Sequence, residues 1–346
     1  MDNVMDTRLV EIYSDAVRDD RIQLVADILR AGRLAVIPTE TVYGLAANAY
    51  DSDAVAAIFA AKGRPQDNPL IVHIADMDML GDIVSEVPDS ARRLAEAYWP
   101  GPLTMIMRRG DKIPASVSAG LDTVAVRMPS NPIARQIIRH CGCPLAAPSA
   151  NLSGSPSPTT AEYAIADMMG RVDCIVMSDD CEIGVESTVV LLADGQARLL
   201  RPGGITLEQL EAVIGPVAVD SAVLSSQLTG RVSSPGMKYK HYAPKTKVIM
   251  VDGDCEQYAG YVCRSAQPAA AVCFEEDVPL LGQLPHVVYG RQGDDRSQAH
   301  GIFTALRRAD QLGAEVIYAH APSRSGVGLA VYNRLLRAAA FEVVTL

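Results

Sequence analysis

The residues best suited to chemistry in this chain begin with Lys62-Gly63-Arg64-Pro65, with Asn68 and His73 close behind. Residues 53–62 carry Val55, Ile58 and Phe59 at helical spacing, which predicts a helix ending at Lys62 and closed by Gly63. Pro65 stops any continuation. The two cations form a stiff fork able to hold an anion, arginine with a planar set of donors and lysine with a compact point charge. That combination suits a polyphosphate better than either residue alone. The same charges would also offset the dipole of a solvated helix end, so this segment by itself leaves both readings open.

Further segments put polar groups where apolar ones are expected. The strand-like run Leu34–Pro38 delivers Thr39-Glu40-Thr41 to its end, and hydroxyls and a carboxylate there need partners. A turn whose threonines bond their own backbone is the plain alternative. His73 lies in a strand over 69–74, out of phase with Val72 and Ile74. Arg127 is embedded in the strand 123–129 among apolar neighbours, and a buried arginine calls for an anionic partner. After a strand over 144–148, Ser149-Ala-Asn151 opens a loop of small and hydroxyl residues. Thr159 and Glu162 then form a capping-box pattern that opens a helix through about Met169, and a helix N-terminus following a strand can approach an anion closely. Strands over 186–193 and 196–200 about the pair Asp194-Gly195 read as a hairpin, which brings Ser187 and Arg201 to one end of a sheet.

Composition limits the partners. A hydrophobic fraction of 49% with 21% charged residues is that of a globular protein, and a formal charge of -10 argues against broad adhesion to nucleic acid or anionic membrane. Any phosphate site must be a local exception. No run of 18 apolar residues exists, and the acidic N-terminus lacks a signal-peptide core, so the expected location is the cytoplasm with no membrane partner. The seven cysteines are scattered without a CxxC pair, and Cys141-Gly-Cys143 is too tightly spaced for a strong metal signal. They read as reduced, mostly buried apolar residues.

The elements that must position these groups fall into two units. Helices are expected over 21–31, 53–62, 90–98, 131–140, 159–169 and 206–214. The pattern fades from 215 to about 245, a linker by composition that nonetheless carries Lys238, Lys240, His241 and Tyr242. Strands over 247–251, 269–274, 287–289 and 315–319 with helices over 297–313 and 327–340 then predict a small α/β unit. Its Ser325-Gly326-Val-Gly328 turn lacks the spacing of a phosphate loop and reads as a helix cap.

The assembled set is more specific than any member. PTETVYGL at 38–45, KGRPQDNPLIVHI at 62–74, WPGPLT at 99–104, VAVRMP at 124–129, APSANLSG at 147–154, EST at 186–188 and LRPGG at 200–204 occur in one order. Over residues 20–215 this resembles the threonylcarbamoyl-AMP synthase family, also called YrdC-like or L-threonylcarbamoyladenylate synthases. SSPGMKYKHYAP at 233–244, followed by an α/β tail, is similar to the longer two-domain form. The resemblance implies an α/β fold of the α+β type. Residues 1–215 would form a YrdC-like twisted open mixed sheet with flanking helices and a concave basic cleft. Residues 216–245 would form a linker reaching toward the active site, and 246–346 a smaller Rossmann-like α/β domain.

The resemblance further implies synthesis of L-threonylcarbamoyl-AMP from L-threonine, bicarbonate (CO2) and ATP with release of pyrophosphate, the first step of tRNA threonylcarbamoyladenosine modification. Lys62, Arg64, Ser149 and Asn151 match the family's KxR and SxN signature. By the same resemblance Thr41, His73, Arg127, Ser149 and Ser187 fall to threonine. Arg64, Asn68, Thr123, Asn151, Thr159 and Arg201 fall to ATP, Lys62 to its phosphates, and Lys238, His241 and Tyr242 to linker closure. Mg²⁺ would arrive with ATP and take no protein side chain as ligand. The product would pass to tRNA-modifying threonylcarbamoyl transferase machinery, and direct tRNA contact is left open. Two other functions fit a basic cleft: a double-stranded RNA or ribosome-associated binding module, and another ATP-dependent carbamoyl or acyl transferase on the same fold.

Overall fold

The computed structural model describes residues 5–193, 195–225 and 242–346. Eleven strands form the larger sheet: β1 (Arg8–Glu11), β2 (Ala35–Ile37), β3 (Gly44–Asn48), β4 (Ile71–His73), β5 (Leu103–Arg108), β6 (Thr123–Arg127), β7 (Leu145–Ala146), β8 (Cys174–Met177), β9 (Thr188–Ala193), β10 (Gln196–Arg201) and β11 (Ala218–Val219). Their order is β1-β8-β2-β3-β7-β4-β6-β5-β9-β10-β11, with parallel and antiparallel pairs intermixed. The second sheet holds β12 (Lys247–Asp252), β13 (Ala269–Phe274), β14 (His286–Gly290), β15 (Val316–His320) and β16 (Val343–Thr345) in the order β14-β13-β15-β12-β16. All its pairings are parallel. Every residue of β13 is buried, as expected of a parallel strand covered on both faces.

Among the described residues ten α-helices flank these sheets: α1 (Asp19–Arg30), α2 (Ser52–Lys62), α3 (Asp89–Tyr98), α4 (Ala115–Ser118), α5 (Pro132–Cys141), α6 (Ala161–Met168), α7 (Leu207–Ile214), α8 (Cys255–Val262), α9 (Asp295–Ala309) and α10 (Gly328–Ala338). Local chemistry sets their ends. The Asp51 side chain accepts from the Asp53 and Ala54 amides at 2.9 and 3.1 Å to start α2. Gly63 closes it at φ 61°, a conformation that costs an L-residue about 1 kcal/mol. Asn131 caps α5 in the same way, with Pro132 in its first turn.

Several elements differ from the sequence reading. The cap of α6 is Thr160, whose hydroxyl accepts from the Tyr163 amide at 3.3 Å. The helix therefore starts one residue later than the Thr159–Glu162 pattern predicts, and Thr159 is released to the interior. Residues 216–223, expected within the linker, supply β11, which pairs in parallel with Arg198 and Leu199 of β10. Two residues are too short a stretch to show alternation. Helix α8 and strand β16 also escape the periodicity, although Asp254 and Gln257 form a full capping box at the start of α8.

The two units share a core. Val42 and Val185 from the larger unit pack with Tyr242, Ile302, Phe303 and Val331. Gly184, at φ 85°, lies so close to α9 that an added Cβ would meet the Ala299 carbonyl oxygen and the His300 Cα, both at 2.5 Å.

Candidate active site

The ends of five adjacent strands, β4, β6, β5, β9 and β10, build the site. His73 ends β4 and Arg127 ends β6, and the two are paired in register. Arg127 pairs across β5 with Thr104, whose hydroxyl lies 2.7 Å from that of Ser187, just ahead of β9. Arg201 ends β10. Its Nε donates to the Ser187 carbonyl at 3.0 Å and its Nη2 to the Ser187 hydroxyl at 3.1 Å, so the hairpin delivers its two polar ends together as expected. Thr41, Arg64, His73, Arg127, Ser149, Ser187, Arg201 and Tyr242 border one cavity of about 50 Å³.

Three guanidinium groups of this set are buried by different means. Arg127 lies 2.7 Å from the Glu40 carboxylate, both side chains 4% exposed, and its Nη1 donates to the Thr41 hydroxyl at 2.9 Å. The anion that a buried Arg127 demands is therefore already supplied by the Thr39-Glu40-Thr41 turn. Burial works to raise the Glu40 carboxyl, but the Arg127 charge together with hydrogen bonds from Arg127 and the backbone brings the net shift downward. Arg64 is held through Nη2 to the Asn68 and Pro69 carbonyls at 3.4 and 3.2 Å. Its Nε faces no acceptor among the described residues, and burial lowers the group to about 10. Burial likewise lowers Arg201.

His73 is neutral at physiological pH, because burial, seconded by the Arg127 charge, drives it down to about 3. Its Nδ1 lies 3.3 Å from the Ile71 carbonyl oxygen. The ring therefore adds shape and hydrogen-bonding capacity to the cavity and no positive charge.

Lys62 is engaged with the loop that carries Ser149 and Asn151. Its Nζ donates to the Ser149 carbonyl, to the Asn151 carbonyl at 2.5 Å and toward the Asn151 Oδ1 at 3.5 Å. Three oxygens meet the three hydrogens of an ammonium, which braces the loop that carries Ser149 and Asn151. Burial, and then the Arg64 charge, pull its pKa well down. Lys62 stands behind the cavity wall while Arg64 forms part of it.

The other expected residues scatter around this centre. Asn151 is buried behind Ser149, whose hydroxyl donates to its Oδ1 at 2.5 Å. Asn68 is buried beside Arg64, with an Oδ1 that meets no donor among the described residues. Thr123 begins β6, roughly 13 Å along the strand from Arg127, away from the cavity. Thr159 lies 3.3 Å from the Thr304 hydroxyl of α9 and borders a separate cleft between the two units. Lys238 and His241 lie outside the described residues, whereas Tyr242 does border the cavity. Sequence reasoning missed Glu186 and Arg334. Glu186 stood in the EST motif, and nothing in the pattern of α10 marked Arg334. The two are joined by an ion pair of 2.7 Å.

An open mixed sheet bearing a cation-rich cavity, joined to a parallel Rossmann-like unit, defines a two-domain YrdC-like protein. The Sua5, YciO and YrdC family model, described as telomere recombination, matches residues 27–203, and the threonylcarbamoyl-AMP synthase C-terminal domain model matches 205–340. The chain is 42% identical over 336 residues to the threonylcarbamoyl-AMP synthase of Pyrococcus abyssi, covering 95% of this chain and 97% of that protein. It is 44% identical over 333 residues to the Bacillus subtilis synthase, covering 95% and 96%. The crystal structure of P. abyssi Sua5 complexed with L-threonine superposes with a TM-score of 0.90 at 38% identity, covering 98% of this chain and 100% of that one. The chain belongs to the threonylcarbamoyl-AMP synthase family and is an enzyme of that class. No helix among the described residues is long and apolar enough to cross a membrane.

Proposed function

We propose that this enzyme condenses L-threonine, bicarbonate or dissolved CO2, and ATP into L-threonylcarbamoyl-AMP and pyrophosphate, opening the route to threonylcarbamoyladenosine in tRNA. One observation supports this most directly. Arg64, Arg127 and Arg201 meet hydroxyls from Thr41, Ser149 and Ser187 at a single cavity, while Glu40 and Glu186 are already engaged by Arg127 and Arg334. The balance left over is cationic and suits anionic reactants. That P. abyssi Sua5 forms a complex with L-threonine supports threonine as one of them.

The chemistry is addition followed by displacement. The threonine nitrogen adds to carbon of CO2 and gives up a proton, leaving a carbamate. A carbamate oxygen then attacks the α-phosphorus, and the bond to pyrophosphate breaks. Carbamate and ATP are both anionic in the displacement, so that barrier is largely electrostatic and positional, and fixed cations with oriented donors answer both needs. In this reading Arg127 and Thr41 receive the amino-acid carboxylate, with Glu40 fixing the guanidinium. Ser187 and Ser149 orient threonine beside neutral His73, and Arg64 and Arg201 neutralise phosphate. Lys62 holds the 149–151 loop toward the same phosphates.

Magnesium ion, bound with ATP, would offset phosphate charge. The cavity offers no carboxylate that is not already in an ion pair among the described residues, which fits an ion held by phosphate oxygens and water. The product is a mixed anhydride, and the tRNA-modifying threonylcarbamoyl transferase machinery would consume it.

The test is pyrophosphate release from ATP with threonine and bicarbonate omitted in turn. Release that needs both supports the reading, and release indifferent to both sinks it. Salt-sensitive RNA binding without nucleotide cleavage would instead favour a binding module.

A further inference from the structure

Arg334 of α10 reaches through the boundary between the two units and ends inside the larger one. Arg334 is 0% exposed. Its Nε donates to Glu186 Oε2 at 2.7 Å and its Nη2 to the Pro202 carbonyl at 3.1 Å. These acceptors are the residue before Ser187 and the residue after Arg201. Arg334 therefore clasps both flanks of the Ser187–Arg201 pair that borders the cavity. Its Nη1 donates to the Asn333 side chain at 2.9 Å, and Asn333 donates in turn to the Val223 carbonyl at 2.7 Å.

The contact is built tightly on both sides. Glu186 spends its other oxygen on the Ser157 hydroxyl at 2.5 Å. Burial works to raise its carboxyl, yet Arg334 and Arg201 hold it below the usual range. Gly203 packs so closely that an added Cβ would meet the Thr188 amide, the Glu186 carbonyl oxygen and the Ser187 carbonyl carbon, so the 186–188 and 202–204 segments lie in direct backbone contact. The guanidinium carbon of Arg334 also lies 5.4 Å from the centre of the Tyr242 ring, and Phe303 of α9 holds that ring from 5.3 Å. Tyr242 borders the cavity as well.

We infer that Arg334 is a positioning residue through which the C-terminal unit completes the catalytic site, fixing the Ser187–Arg201 corner by way of Glu186 and Pro202 and seating the Tyr242 ring above it. The assignment rests on the synthase reading of the cavity. Fully satisfied buried polar networks are rigid, and a corner displaced by about 1 Å loses on the order of a hundredfold in rate. The alternative is a bond that merely holds two domains together.

The experiment compares Arg334→Lys and the double variant Arg334→Met/Glu186→Gln with the wild-type full chain. Lysine keeps the charge but cannot fork to both flanks. The double variant removes both charges of the pair, so no uncompensated ion is left buried. We expect both variants to raise KM for L-threonine at least tenfold and to lower kcat/KM by about a hundredfold at temperatures well below unfolding. Backbone amides at 187–188 and 203–204 should exchange hydrogen at least tenfold faster, while those of β2 and β3 are unchanged. Wild-type kinetics with wild-type exchange in either folded variant overturns the inference, as does a uniform rise in exchange across both units. The exchange readout needs no turnover, so it stands even if the wild-type enzyme releases no threonine-dependent pyrophosphate, a result that would sink the synthase reading alone.

Discussion

Arg201 holds Ser187 twice, by its carbonyl and by its hydroxyl, at 3.0 and 3.1 Å. A guanidinium with both contacts fixed this way presents its remaining donors in one direction. Arg201→Lys keeps the charge and loses the fork. Because charged hydrogen bonds contribute roughly 1.5–3 kcal/mol each, kcat/KM should fall about tenfold to a hundredfold, measured as pyrophosphate release. Ser187→Ala should reproduce part of that loss, and the double variant should show less than the product of the two, since each single change breaks the same contact.

Lys62 and Arg64 should separate by stability. Lys62→Ala strips the partner from the part-buried Ser149 carbonyl and the buried Asn151 carbonyl, so both turnover and melting temperature should drop. Arg64→Ala removes a side chain whose Nε is unpartnered among the described residues, so turnover should drop at least tenfold and melting temperature little. Thermal melts beside steady-state rates decide this. Equal melting losses in the two variants would contradict the bracing role of Lys62.

The Glu40–Arg127 pair is buried on both sides. Removing one member of such a pair typically costs about 3–5 kcal/mol. Arg127→Met should therefore destabilise strongly by leaving Glu40 charged and unpaired. Glu40→Gln/Arg127→Met should regain most of that stability in urea unfolding while remaining inactive. A double variant as unstable as Arg127→Met would argue against the pair as the cause.

His73 sets a pH dependence with a definite sign. Its folded pKa is about 3 against an ordinary 6.5, so between these values the unfolded chain binds a proton that the folded one refuses. Stability is complete above pH 6.5 and declines as pH falls. The Glu40 and Glu186 carboxyls, also held below the usual range, add their losses at lower pH still. His73→Leu should flatten the dependence of melting temperature on pH between 6.5 and 5. An unchanged slope would show that the imidazole is not excluded from protonation.

The cap of α6 offers a control outside the cavity. Thr160→Ala removes the hydroxyl that accepts from the Tyr163 amide and should cost about 0.5–2 kcal/mol in unfolding free energy. Turnover by the folded enzyme should be unaffected.

Local order was legible wherever one residue's backbone needs dictate a pattern. Gly63 marks the end of α2, Asn131 and Pro132 the start of α5, and the turn at Gly195 the hairpin that unites Ser187 with Arg201. Short elements gave no such pattern. Strand β11 has two residues and exists because Arg198 and Leu199 offer it an edge. A one-residue shift in the cap of α6 was equally beyond the spacing, because Thr159 and Thr160 are chemically alike and only packing selects between them.

By itself the sequence determined which residue types cluster at strand ends, that Arg127 must find an anion, and that the ordered motifs belong to one family. Tertiary structure decided the partners. Arg127 met Glu40 from its own chain, Lys62 turned to the carbonyls of 149 and 151, and Arg334, more than a hundred residues from Glu186 and Pro202, closed around both. The physical reason is that charge and hydrophobicity are properties of a residue, whereas the neutralisation of a buried charge depends on which distant segment the folded chain brings within about 3 Å.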